Sequence, residues 1–400
     1  MECFSALPRE LWYMTVEECD RPTLVSLARV SSFFQESAQR TLYREIDRVL
    51  AAPEDKKSTQ NPELQPTPWI ELLLRTLLER PELSRYIRRV RWSTLPERRY
   101  SPHSVQSLVG VPKRQKDVDP ALVEMAMKLV EEKELFADSD WDWTKTWDAA
   151  LHEGNIDAMV ALVLAQCNSL ISLELSPVLL YRSRFLGLTF KRLSSSNAKY
   201  NHFRHLRHVA FCERDKGHEA AGVGPGVDQK ITLIRTRRIE TLELTMHDHH
   251  LPAISDDLLS VHESLTTLRL WFCNLGTDEV GRMLKFTPAL KVLRCGFVRS
   301  NSEFQSYNTI RFAAFGDSLR KVANTLEELT IELAWAFTTS YQSTYAYPRF
   351  SGGSLGSLQF LHSLLHLEVP VGILNGPRPW ADNWLPRLLP RNLQSLVLID

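Results

Sequence analysis

Apolar residues follow a helical spacing through the first 165 residues and a strand spacing through most of the rest. Leu11, Trp12, Met14 and Val16 predict a helix over Arg9–Glu18, with Pro8 in the first turn, where its missing N–H costs nothing. Asp20 reads as an N-cap and Pro22 as a first-turn residue of a second helix. That helix carries Leu24, Val25, Leu27, Ala28, Val30, Phe33 and Phe34, which spread beyond a single stripe of the helical wheel. A helix apolar on two sides must be covered on two sides. Residues 51–68 are polar and contain several prolines, the composition of a loop. Trp69–Leu78 (WIELLLRTLL) is again helical and ends near Pro81, while Tyr86–Trp92 (YIRRVRW) alternates like a half-buried strand. After a second loop-like stretch over 94–120, helices are predicted at Leu122–Leu135 and Trp147–Ala165, the latter interrupted at Gly154-Asn155.

A motif of the form LxxLxL then recurs eight times: LISLEL (170–175), LRHVAF (206–211), IETLEL (239–244), LTTLRL (265–270), LKVLRC (290–295), LEELTI (326–331), LLHLEV (364–369) and LQSLVL (393–398). Its starting positions differ by 36, 33, 26, 25, 36, 38 and 29 residues. Two apolar positions three apart, then a third two further on, fit a turn entering a short strand. Helix-like stretches precede several units, as Asp278–Phe286 does before Pro288. One strand and one helix per unit, stacked side by side, make a solenoid with a parallel sheet, an α/β fold. The turn asparagine of regular arrays is absent from most units, with Asn274 a partial match, so the array is irregular. The chain ends at LQSLVLID, with no polar capping helix after the last strand.

Composition narrows the function. Lys+Arg and Asp+Glu are 48 each, giving a formal net charge of +0, which favours neither nucleic acid nor an anionic membrane. The basic runs RYIRRVR (85–91) and RTRR (235–238) are short and read as solvated edges. Cys3, Cys19, Cys167, Cys212, Cys273 and Cys295 form no CxxC pair and sit in apolar patterns, as reduced thiols do. No leader is visible, and the longest uncharged apolar run, AMVALVLA (158–165), is too short for a membrane span. Cytoplasm or nucleus is the expected location.

The opening residues Leu7-Pro8-x-Glu10-Leu11-Trp12, followed by Leu24-x-x-Leu27-Ala28-x-Val30-Ser31 and an aromatic at Phe34, resemble the F-box motif. Thr15 and Cys19 depart from it, standing where aliphatic residues are usual. With the repeats, the resemblance extends over essentially the whole chain, to fungal F-box proteins with irregular leucine-rich repeats. It implies an F-box-like helical module at 1–48, a helical and loop connector at 49–165 with a first strand near 86–92, and an irregular leucine-rich-repeat-like array at 166–400. It also implies a substrate-recognition subunit of an SCF-type ubiquitin ligase, which binds a Skp-type adaptor through the F-box and a target protein through the repeats. By resemblance, Leu7, Pro8, Leu11, Leu24, Leu27, Val30 and Ser31 face or support the adaptor. About forty residues can hardly bury a core of their own, which agrees with a need for outside cover. The alternative is a non-catalytic repeat scaffold outside a ligase, its first helices only capping the array.

Chemistry-bearing clusters are few. His247, Asp248, His249 and His250 are competent metal ligands and would mark a metal-dependent enzyme. Following the IETLEL strand, they fit a polar loop better, and no HExxH or partner cluster accompanies them. Trp141, Trp143 and Trp147 lie among Asp138, Asp140, Asp142 and Asp148, an acidic setting that suits helix-end packing rather than nucleic-acid stacking. Gly217–Gly226 and Gly352-Gly353 lack the Lys-Ser/Thr of a phosphate loop. The expectation is no enzyme, no cofactor and no metal. Target contacts are expected on exposed strand positions, among them Glu174, Glu243, Arg269, Arg294, Glu332 and Glu368.

Overall fold

The structure, a computed structural model, describes residues 8–50, 69–94, 118–135, 142–176, 179, 183–193, 202–211, 238–245, 262–273, 276–300, 310–336, 353–376 and 384–399. The chain divides into two compact units. Met1–Leu95, Gly110–Glu174 and Arg184–Leu206 form the first; Pro96–Val109, Leu175–Ser183 and Arg207–Asp400 form the second.

In the first unit, α1 (Arg9–Glu17), α2 (Arg21–Val30) and α3 (Ser32–Arg44) run without a break into β1 (Glu45–Leu50). There follow α4 (Trp69–Glu79), a 3-10 turn (Pro81–Tyr86), β2 (Arg89–Thr94), α5 (Pro120–Glu132), α6 (Trp143–His152), α7 (Ile156–Gln166), β3 (Ser172–Leu175) and α8 (Phe185–Leu193). Short polar side chains start many of these helices. Asp20, Asp119, Asp142 and Asn155 each accept a backbone N–H from the first turn, at 3.0, 3.0, 3.2 and 3.2 Å. Gly154, at φ 69°, makes the left-handed turn that separates α6 from α7, where the sequence predicted the interruption. Every residue from Ala158 to Gln166 is buried, so α7 is a core helix covered all round.

In the second unit come β4 (His208–Phe211), β5 (Thr241–Thr245), β6 (Thr267–Cys273), α9 (Thr277–Met283), β7 (Val292–Ser300), α10 (Phe312–Leu319), β8 (Glu328–Ala336), β9 (His366–Pro370), α11 (Val371–Asn375) and β10 (Ser395–Ile399). Within the second unit β4 to β10 pair in parallel in sequence order, and within the first β1 pairs in parallel with β2, so the α/β class expected from the pattern is observed. All eight LxxLxL units become strands, each beginning at the third residue of its motif. The carbonyl at the second motif position accepts two N–H groups from the following unit. Arg207 O takes those of Glu240 and Thr241 at 2.8 and 3.0 Å, and Thr266 O those of Lys291 and Val292 at 2.8 and 2.9 Å. The same pairing recurs from Glu240, Lys291, Glu327 and Leu365. Backbone groups in the turn are thereby satisfied without any particular side chain, and the array needs no turn asparagine. In the seven units before the last, the first, fourth and sixth motif positions point into the core, as Leu290, Leu293 and Cys295 do. On β7, Phe297 continues this row and meets Phe312 and Phe315 of α10 edge-on, with ring centres at 6.2 and 5.9 Å.

Four local expectations change. Pro8 is the N-cap of α1, in an extended conformation, rather than a first-turn residue. The single helix expected through Phe34 is two helices. Ser31 is extended (φ −146°, ψ 127°) and its Oγ accepts the Phe33 N–H at 3.2 Å, so the hydroxyl ends α2 and starts α3. The strand expected at Tyr86–Trp92 begins at Arg89, because Tyr86 closes the 3-10 turn. Finally, β1 was not foreseen. It pairs in parallel with β2, Ile46 opposite Val90, and its carbonyl at Arg44 accepts the Arg88 N–H at 2.9 Å. Residues 43–48 (YREIDR) and 87–92 (IRRVRW) therefore occupy the same positions relative to their strands as the eight counted units.

Candidate protein-interaction surfaces

The three opening helices bury little of what they carry. Their fully buried apolar residues are Val16, Leu24 and Ala38, with Cys19, Leu27, Ala28, Phe34 and Leu42 packed beside them. Trp12 meets Phe34 edge-on at 5.4 Å, and Arg44 reaches back to Glu17 at 3.3 Å. On α3, Glu36 accepts hydrogen bonds from Arg85 and from the Tyr86 hydroxyl at 3.4 and 3.1 Å, and Gln39 accepts one from Arg80 at 3.3 Å. These polar contacts fix α3 to the 3-10 turn of its own unit. Large apolar side chains are left in solvent: Leu11 at 45%, Met14 at 64%, Val30 at 80% and Phe33 at 54% exposure, together with Tyr13 and Val25. Leu11 and Met14 are three apart on α1 and share a face.

The residues proposed from the motif separate into two groups. Pro8, Leu11 and Val30 are exposed, whereas Leu24 is buried and Leu27 and Ser31 are half-buried. Leu24 and Leu27 build the small core that supports the face, and Ser31 sets the angle between α2 and α3 through its cap. Leu7 lies outside the described residues. Met14 and Phe33 join the exposed group and were readable as apolar helix positions; what the sequence lacked was the side each would take.

The second candidate is the open face of the sheet, formed by the third, fifth and seventh motif positions. In the first unit, Arg91 binds Glu174 through Nε and Nη2 at 2.9 and 3.2 Å and Asp47 through Nη1 at 3.4 Å. The hydrogen bonds to Glu174 hold the Arg91 guanidinium above its ordinary pKa. In the second unit, Glu243, Arg269, Arg294, Thr330 and Glu368 lie in successive register across β5 to β9. Arg269 donates to Glu243 at 2.8 Å, Arg294 donates to Glu332, and the Thr330 hydroxyl donates to Glu368 at 3.4 Å. Arg294 also lies over the Trp271 ring, 4.3 Å from its centre. The expected exposure of this row is corrected at Glu243, which is 5% exposed beneath Arg269. These side chains satisfy one another, so the face is polar but largely self-paired.

Other ionisable groups are structural in setting. Asp157 accepts the N–H groups of Arg184, Phe185 and Leu186 at 2.7, 2.8 and 3.1 Å, capping α8 from a distance in sequence. Burial pushes its carboxyl up to about 6, with the three hydrogen bonds pulling the other way. Burial lowers His202 to about 4 and lowers His262 as well. The Cys167 thiol is pushed up to about 12 by burial and donates to Val163 O at 3.1 Å, an unreactive setting. Trp147 is buried against Phe185 at 4.4 Å, and Arg184 covers Trp143, so these two tryptophans pack as the acidic context predicted. His247–His250, Trp141, Asn274 and Gly217–Gly226 lie outside the described residues. Among the described residues, no group of three or more His, Cys, Asp or Glu side chains is placed to hold a metal ion, and no helix is long and apolar enough to cross a membrane.

No protein-family model matches this sequence, and a search of curated proteins returns no match.

Proposed function

We propose that the chain is the substrate-recognition subunit of an SCF-type ubiquitin ligase, with α1–α3 as an F-box docked on a Skp-type adaptor and the strand array as an irregular leucine-rich-repeat platform for a target protein. The observation that carries this reading is the mismatch within α1–α3. Three short helices bury Val16, Leu24 and Ala38 and leave Leu11, Met14, Val30 and Phe33 in water. Covering the exposed Leu11 or Val30 stabilises a complex by about 1–2 kcal/mol each, on the order of tenfold in affinity per residue. The chain then works by positioning: a target held on the array presents its lysines to a ubiquitin-charged enzyme brought by other subunits, and this chain supplies no reacting group.

Co-purification with a Skp-type adaptor tests the proposal. Wild type is expected to bind, and a Leu11→Asp/Val30→Asp double variant to lose binding while keeping its circular dichroism spectrum, since both side chains are already solvent-exposed. Well-folded wild type that does not bind the adaptor overturns the reading. Binding without ubiquitin transfer to any captured protein moves it to a scaffold acting outside a ligase.

A further inference from the structure

Two serines meet at the junction of α2 and α3, and they differ in what their hydroxyls do. Ser31 is half-buried, and its Oγ is engaged as the cap of α3, accepting the Phe33 N–H at 3.2 Å. Ser32 is exposed, and among the described residues its hydroxyl has no hydrogen-bond partner. Val30, two residues before it, is 80% exposed, and Phe33, the next residue, is 54% exposed. Ser32 therefore stands between two of the apolar side chains on which the proposed docking rests.

The residues around it read Arg29-Val30-Ser31-Ser32-Phe33. Arg29 is exposed in the last turn of α2 and, among the described residues, pairs with no carboxylate. A free cation three residues before a serine, with an apolar residue directly after it, is the charge pattern that basophilic protein kinases select. Ser31 is extended (φ −146°, ψ 127°), so the pattern spans a break between helices and not the interior of one. We propose that Ser32 is a phosphorylation site whose modification blocks docking of α1–α3. The inference rests on the docking reading above.

In the reaction the Ser32 Oγ bonds to the γ-phosphorus of ATP as the bond to the bridging oxygen breaks; ADP leaves, and the hydroxyl proton passes to the base of the kinase. The phosphate carries a charge of about −1.5 to −2. A surface that covers both Val30 and Phe33 comes against Ser32, and desolvating that charge opposes the gain from burying the apolar side chains. The fold itself accepts the group. It falls in the first turn of the 13-residue α3, where negative charge is favourable, and the carboxylate of α3, Glu36, is already held by Arg85 and Tyr86. Docking and modification exclude each other, so an adaptor seated on this face shields Ser32.

The full chain, treated with ATP and the catalytic subunit of the cyclic-AMP-dependent protein kinase, tests this. Peptide mass spectrometry is expected to find phosphate on Ser32, and affinity for the adaptor to fall by about 100-fold or more without a lower melting temperature. Treated Ser32→Ala, which keeps other serines such as Ser101 behind Arg98-Arg99, is expected to bind as untreated wild type does. Arg29→Ala should slow modification of Ser32 by about tenfold or more, and saturation with adaptor beforehand should protect the site. No phosphate on Ser32, unchanged binding by the Ser32-phosphorylated chain, or an equal loss in treated Ser32→Ala overturns the inference and leaves the docking reading standing. Untreated wild type that does not bind the adaptor overturns both.

Discussion

The opening helices and the strands β5 to β9 contain similar apolar residues and dispose of them in opposite ways. In the strands, alternation sends Leu242, Leu244, Leu268, Leu270, Leu293 and Ile331 into the core and leaves the open face to paired charges such as Glu243 and Arg269. In α1–α3 the apolar residues circle the helices, and a small core takes Val16, Leu24 and Ala38 while Leu11, Met14, Val30 and Phe33 remain outside. A strand has two faces fixed by its pleat, so one face can be wholly spent on the core. Three short helices cannot enclose a full circle of side chains. The excess surface is what a partner would cover, and strands β5 to β9 have no such excess.

That contrast is sharpest in stability. Phe315, fully buried against Phe297, is expected to cost about 3–5 kcal/mol when replaced by alanine. Leu11→Ala and Val30→Ala, at exposed positions, should each stay within about 0.5 kcal/mol of wild type. Urea denaturation of the three variants checks this. Comparable losses at Leu11 and Phe315 would mean that the helical face is already covered by its own chain.

A smaller effect probes how tightly the array is stacked. A Cβ at Gly316 of α10 would lie 2.3 Å from the Leu355 carbonyl oxygen, and one at Gly281 of α9 would lie 2.5 Å from Ser318 Oγ. Backbone cannot yield as a serine side chain can. Gly316→Ala is therefore expected to destabilise by about 1–3 kcal/mol, and Gly281→Ala by less, with part of its loss recovered when Ser318→Ala is added, since the Ser318 Cβ that alanine keeps would still lie 2.9 Å away. Thermal unfolding of the three proteins measures the order; equal losses at the two glycines would contradict the close backbone approach at Gly316.

The pH dependence separates buried from exposed ionisable groups. His202 and His262 titrate below their ordinary range, so the folded chain holds them neutral where the unfolded chain binds protons. Their contribution is complete above pH of about 6.5 and is lost as pH falls toward His202's value of about 4. At pH of about 5 the His202 share is on the order of 1–2 kcal/mol. Asp157 acts in the opposite sense, since a raised carboxyl favours the folded chain as pH falls through about 6. Unfolding free energies at pH 7.5 and 5, compared between wild type and His202→Phe, should show a flatter acid limb in the variant. An unchanged limb would mean that His202 takes up its proton without leaving the fold.

Much of this was written locally in the sequence. The eight LxxLxL units place strand starts because a buried first position, then alternation, needs only neighbouring residues to be recognised. Asp20, Gly154 and Asn155 mark helix ends for the same reason. The helix–strand alternation also determines the α/β class and the parallel pairing of the strands. Tertiary structure decided the rest. Among the described side chains of β1 the buried apolar one is Ile46, set among charges, and the segment becomes a strand because β2 offers it a hydrogen-bonding edge. Glu243 looks exposed in any single strand and is covered only because register brings Arg269 beside it. Leu24 and Val30 belong to one apolar helix, and the packing of α1 and α3 alone chooses which is enclosed and which faces water. Periodicity records which residues avoid water; which of them succeed depends on surfaces contributed by distant parts of the chain.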